Sequence, residues 1–236
     1  MLNLMMEKYI FFVGSESDDL GRIIRLNTGL QDLTWVPGEN INPPSARYGY
    51  AATLTKVGLI LYIGGIYRNG FYANMNEIPI FDAIKDNWLN AIMDSTGEII
   101  PEGRQMHSAV LSDHNTIIIY GGYHNGVFSK PELVILDISK PVYNWIQPTT
   151  NEIIEPRWGH TSTFIYSQMI VAFEINSTLS ILSNPTKTSF NRVSSFSIPN
   201  PVKPPIINKP LPTENLGICY KQQKMEKANE VNNNLE

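Results

Sequence analysis

The amino-acid sequence repeats itself at fixed spacing, and this restricts the fold more than any single motif. Gly64-Gly65 begins 17 residues after Arg47, and Trp88 lies 24 residues after Gly64. Gly121-Gly122 begins 17 residues after Arg104, and Trp145 lies 24 after Gly121. Between these landmarks Glu77 and Asp82 match Glu132 and Asp137, each pair five apart. A third copy opens at Pro156-Arg157-Trp158-Gly159-His160, with Glu174-Ile175 expected at the place of the glycine pair and Phe190 near the tryptophan position. A partial copy precedes the others: residues 9–14 match the strand that ends in the glycine pair, and 22–35 align without gaps to 132–145. Its first strand is missing. The steps between arginines, 57 and 53 residues, fit a sheet-type repeat of about 50 residues and not the helical repeats of about 33.

Each unit carries four short apolar runs rich in β-branched and aromatic residues. They are 51–54, 59–63, 78–81 and 87–91 in one copy, and 108–111, 116–120, 133–136 and 143–146 in the next. Asp113-His114-Asn115, Asn125-Gly126 and Ser139-Lys140-Pro141 separate the runs with the chemistry of tight turns. The expected element is a four-stranded antiparallel meander. A Gly-Gly pair ending an inner strand implies close backbone approach and an exit at positive φ. One tryptophan per unit, Trp35, Trp88 or Trp145, suits an apolar seam between copies better than a ligand pocket. Arg47, Arg104 and Arg157 are expected to bridge strand carbonyls or a carboxylate such as Glu77 or Glu132.

Taken together, Pro44-x-x-Arg47, Pro101-x-x-Arg104-x-x-His107, Arg157-Trp158-Gly159-His160, Tyr62-Ile63-Gly64-Gly65, Ile119-Tyr120-Gly121-Gly122, Phe81-Asp82, Leu136-Asp137, Trp88 and Trp145 resemble the Kelch-repeat family of β-propellers. That family includes galactose-oxidase-like and attractin/muskelin-type propellers. The resemblance covers about residues 8 to 196 and implies an all-β radial array of four-stranded antiparallel blades, about three complete and one partial. The expected division is a partial blade over 1–41, blades over 42–98 and 99–152, and a degenerate blade over 153–196. Residues 197–236, proline-rich and then asparagine-rich, read as a disordered tail, whose P-x-x-P string is read chiefly as linker. Complete propellers have about four to eight blades. The ring is therefore expected to be incomplete, with open blade edges able to support self-association.

Composition narrows the function. There are 18 basic and 22 acidic residues, net charge −4, with no basic cluster, so neither nucleic acid nor an anionic membrane surface is an expected partner. No signal peptide and no apolar run of membrane-spanning length is visible, which favours the cytoplasm without fixing the compartment. The lone Cys219 excludes an intramolecular disulfide and Cys-rich zinc sites. No GxSxG, P-loop, HExxH or GxGxxG motif occurs. His107 and His160 occupy equivalent repeat positions, where Tyr50 stands in the earlier copy, which points to packing and not to a metal. Copper-radical chemistry of the galactose-oxidase type needs a cysteine–tyrosine cross-link, and the resemblance does not carry it over, because Cys219 lies in the tail.

The expectation is thus a non-enzymatic protein-interaction module with no catalytic residues, cofactor or metal. The loops after the glycine pairs fall at matching points and concentrate recognition-type side chains: Tyr67, Arg68, Phe71 and Tyr72 in one, Tyr123, His124 and Phe128 in the next. These aromatics either contact a protein partner or fold back over the blade edge. A metal-binding or oxidase/specifier-type propeller and a non-functional fragment of a longer Kelch protein are the alternatives.

Overall fold

A computed structural model describes residues 8–14, 21–27, 33–38, 41–97, 99–150, 155–173 and 180–196. The expected tail, 197–236, lies outside the described residues, as do Glu174 and Ile175. The described part belongs to one compact unit, Met1–Ile198.

Every described element is a β-strand. Four antiparallel meanders follow one another along the chain. The first has three strands, Lys8–Gly14, Gly21–Asn27 and Thr34–Pro37. The second is Ala51–Leu54, Leu59–Ile63, Pro79–Asp82 and Asn87–Asn90, and the third is Ser108–Leu111, Thr116–Tyr120, Leu133–Asp137 and Val142–Ile146. The fourth is Thr161–Ile165, Gln168–Ala172, Ser180–Thr186 and Ser189–Val193. The alternation of strand and turn chemistry produces these hairpins locally. Thr55 N–H bonds Leu59 O and Ser112 N–H bonds Thr116 O, closing three-residue loops whose last residues, Gly58 and Asn115, have φ of 83° and 56°.

Two features depart from the expected four-strand unit. Ile92–Met93 pairs in parallel with Val142–Tyr143, and Thr149–Thr150 pairs in parallel with Ser189–Phe190. The segments leaving the outer strands of the second and third sheets therefore add a fifth strand to the third and fourth.

The core consists of three seams. Phe12 and Ile23 of the first sheet meet Tyr62 and Phe81 of the second, with Trp88 packed against them. Leu61, Ile63, Ile78 and Ile80 of the second meet Ile117, Ile119, Leu136 and Trp145 of the third. Ile118, Tyr120 and Ile135 of the third meet Met169, Val171, Leu182 and Phe190 of the fourth. The middle sheets are buried on both faces, which explains why Thr116–Tyr120 is apolar at four consecutive positions instead of alternating.

The tryptophans share one register. Trp35, Trp88 and Trp145 pair with Leu26, Phe81 and Leu136, and Trp88 and Trp145 point toward the preceding unit. Trp145 is 5% exposed and donates its indole N–H to Asn76 Oδ1 at 2.8 Å. Trp35 differs from the seam expectation: it is 61% exposed, because its face of the first sheet is the one that in later units meets a preceding sheet.

The first hairpin of the fourth unit is one residue shorter than those of the second and third. Tyr166 and Ser167, at φ 49° and 56°, make a two-residue turn between Ile165 and Gln168. This places Phe173, not Glu174, directly after the inner strand, at φ 63° against 66° for Gly64 and 67° for Gly121. The expected alignment of Glu174-Ile175 to the glycine pair is therefore off by one.

Candidate functional site

The loops that present candidate side chains are set in place by backbone bonds that recur from unit to unit. Gly65 N–H bonds Arg104 O at 2.7 Å, and Gly122 N–H bonds Arg157 O at 2.8 Å. A Cβ on Gly64 would stand 2.7 Å from Arg104 O, and one on Gly121 2.1 Å from Arg157 O, so glycine is enforced by the neighbouring backbone as well as by φ. A second series escaped the sequence reading. Met106 N–H bonds Gly49 O and Gly159 N–H bonds Met106 O, and all three residues, two after the repeated arginines, have positive φ. The glycine in two of the three copies was the available signal.

The arginines are buried posts under these stitches. Arg104 is fully buried and donates to Glu102 O, Gly121 O and Lys130 O at 3.2, 2.9 and 2.8 Å. Burial lowers its pKa to about 10, still charged at neutral pH. Arg157 donates to Ser180 Oγ at 2.9 Å and lies over the Tyr120 ring. Arg47 lies over the Tyr67 ring at 5.0 Å.

His107 and His160 fill the space that side chains on Gly64 and Gly121 would need. Burial depresses His107 to about 3 and His160 to about 4, with nearby Arg104 and Arg157 adding to the respective shifts, so both rings are neutral at pH 7. His160 Nε2 lies 2.8 Å from Ser108 Oγ, which also bonds Ser162 Oγ at 2.7 Å. This pair resembles half of a nucleophile site, yet His160 Nδ1 has no hydrogen-bond partner to orient it and the ring is a weak base. The geometry joins inner strands, as does Thr53 Oγ1 donating to Ala109 O at 3.0 Å. Tyr50, in the matching slot of the earlier copy, donates to Phe12 O at 2.6 Å. Among the described residues, no group of three or more His, Cys, Asp and Glu could hold a metal ion.

The seven loop residues divide into two sets. Tyr67, Tyr72, Tyr123 and His124 hold the surface together. Tyr67 covers Arg47, and the Tyr72 and His124 rings meet at 4.3 Å. Asn125 N–H donates to Tyr72 Oη at 3.1 Å, joining the two loops, while His124 Nδ1 bonds Gly103 O and Tyr123 packs on Trp158 at 5.8 Å. Arg68, Phe71 and Phe128 remain outward; Phe71 is 70% and Phe128 40% exposed, with Tyr48 and Val127 also exposed. Sequence reasoning did not pick out the last two, since Tyr48 lies before the inner strand and Val127 is an ordinary turn-flanking residue.

Comparison with known proteins decides the family. The KLHDC2/KLHL20/DRC7 Kelch-repeats domain matches residues 2–173. The chain belongs to this Kelch-repeat family. The match ends at the residue that replaces the first glycine of the pair. No curated protein matches the sequence. Among solved structures the Kelch chain is similar to YjhT, at 13% identity and TM-score 0.56, over 82% of this chain and 67% of that one. It also matches a fungal alcohol oxidase of the AA5 family, solved with copper, at 15% identity and TM-score 0.46, over 81% and 52%. The YjhT likeness supports the propeller fold and carries no activity.

Proposed function

We propose that this Kelch chain is a non-enzymatic interaction module that engages a protein partner through the loops following its glycine pairs. The observation that carries the reading is the division of labour in those loops. Tyr72, His124 and Asn125 tie the two loops to each other, and Phe71 and Phe128 stay exposed on them, as do Tyr48 and Val127. Large apolar side chains on a stiff support are the usual anchors of protein recognition, because little side-chain entropy is lost on contact.

The test compares proteins captured from a lysate by the wild-type chain and by Phe71→Ala and Phe128→Ala. A partner captured by the wild type and lost by the variants, with melting unchanged, supports the module. Unchanged capture with lowered melting would show that these rings serve the fold.

A further inference from the structure

The repeat supplies an internal control for the arginine sites. Two residues before the repeated arginine stands Glu102 in one copy and Glu155 in the next, but Ser45 precedes Arg47. Glu102 Oε2 accepts Lys130 N–H at 2.9 Å and its charge favours the Arg104 cation, while Glu155 Oε2 lies 3.7 Å from Arg157 Nη2. Arg47 lacks a glutamate at that position, and among the described residues Glu77 is the one acid acting on it.

Its guanidinium is less fully bonded than that of Arg104, which reaches three backbone carbonyls. Arg47 is 6% exposed, its Nη1 reaches Gly64 O only at 3.4 Å, and its Nη2 donates to Tyr67 Oη at 3.2 Å. Nε, buried, has no hydrogen-bond partner among the described residues. A cavity of about 410 Å³ opens at this point, lined by Ser45, Arg47, Tyr67 and Glu77 together with Asn90 and Pro44. Tyr67 accepts from Arg47 and so retains its own O–H to donate.

We propose that this cavity binds a carboxylate supplied from outside the chain, seated against the Arg47 guanidinium, in the copy that has Ser45 at the position of Glu102 and Glu155. A carboxylate matches the flat guanidinium and carries one charge. A phosphate dianion would add a second charge against Glu77. The source is either an acidic side chain on a peptide or a free dicarboxylate. The site shares Tyr67 with the loop that carries Phe71 but uses neither Phe71 nor Phe128, so Phe71→Ala and Phe128→Ala test only the interaction surface and Ser45→Glu only the carboxylate site.

The test titrates the full chain with N-acetyl-glutamate α-amide, with its neutral glutamine counterpart and with glutarate, read by calorimetry or NMR shifts. The glutamate compound or glutarate should bind at least about tenfold tighter than the glutamine compound. Preference for the glutamate compound assigns a peptide source, and preference for glutarate a free dicarboxylate. Ser45→Glu supplies the carboxylate from within, so it should lose the binding while melting no lower than wild type. Should Ser45→Glu misfold, Glu77→Gln, which removes the negative charge beside the incoming carboxylate at an exposed position, should tighten binding several-fold without changing the fold, and unchanged or weaker binding would overturn the proposal. Equal binding of the charged and neutral compounds, absence of binding, or undiminished binding by a folded Ser45→Glu protein would overturn the proposal.

Discussion

The seams inside the molecule and the faces at its two ends use the same repeated residues with opposite results. Trp145 and Trp35 have the same register on their strands, yet one is 5% and the other 61% exposed. Gly121 and Phe173 have nearly the same φ, 67° and 63°, at the end of equivalent inner strands. At Gly121 a Cβ would stand 2.1 Å from Arg157 O, whereas Phe173 points its ring outward at 78% exposure. The repeat signature therefore describes the junction between sheets more than the sheet itself. A residue of the motif is needed to the degree that a neighbour presses on it.

This contrast sets the order of the expected effects. Trp145→Ala should cost about 4 kcal/mol in denaturant unfolding, because it removes a buried indole and strands Asn76. Trp35→Ala should cost less than about 1 kcal/mol. Similar losses for both would erase the distinction between seam and end. Gly121→Ala should cost about 3 kcal/mol, combining left-handed strain with backbone overlap, and Gly126→Ala about 1 kcal/mol, since Gly126 has φ 89° but no atom closer than 3.8 Å to a Cβ.

Acid should loosen the inner seams next. His107 and His160 titrate at about 3 and about 4 in the folded chain, while an unfolded histidine titrates near 6.5. Between about pH 6.5 and 4 the unfolded chain binds protons that the folded chain refuses, so stability falls as pH falls, by up to about 1.4 kcal/mol per pH unit for each histidine. His107→Asn should remove roughly half of that slope in denaturation midpoints measured across the interval. A slope unchanged in the variant would show that His107 is not shielded as described. The smallest expected effect is a gain: Phe173→Gly relieves left-handed strain at an exposed site and should stabilise by about 1 kcal/mol or less, seen as a small rise in melting temperature.

Much of the fold was legible because hairpin formation is local. The first two strands of the second and third sheets begin and end where their apolar runs do, and the later strands shift by a residue, at one end as at Leu133–Asp137 or at both as at Pro79–Asp82. The parallel additions Ile92–Met93 and Thr149–Thr150 were not legible, since two residues carry no periodicity and their pairing partners lie about 40 to 50 positions away. The shift at Phe173 was hidden because spacing from Arg157 assumes a turn of constant length, and Tyr166-Ser167 is shorter than Asp113-His114-Asn115. At the candidate surface, sequence position marked the two loops but not the direction of each ring. Tyr67 turns toward Arg47 and Phe71 turns away, which depends on contacts the sequence does not order. The cavity beside Arg47 was legible in principle, from Ser45 standing where the other copies have glutamate.

The central claim, that the repeated residues are fixed by junctions between sheets, is tested most directly by acrylamide quenching of chains keeping Trp145 or Trp35 as the sole tryptophan. The structure predicts strong quenching for Trp35 and weak quenching for Trp145. Equal quenching of both in folded protein would contradict it.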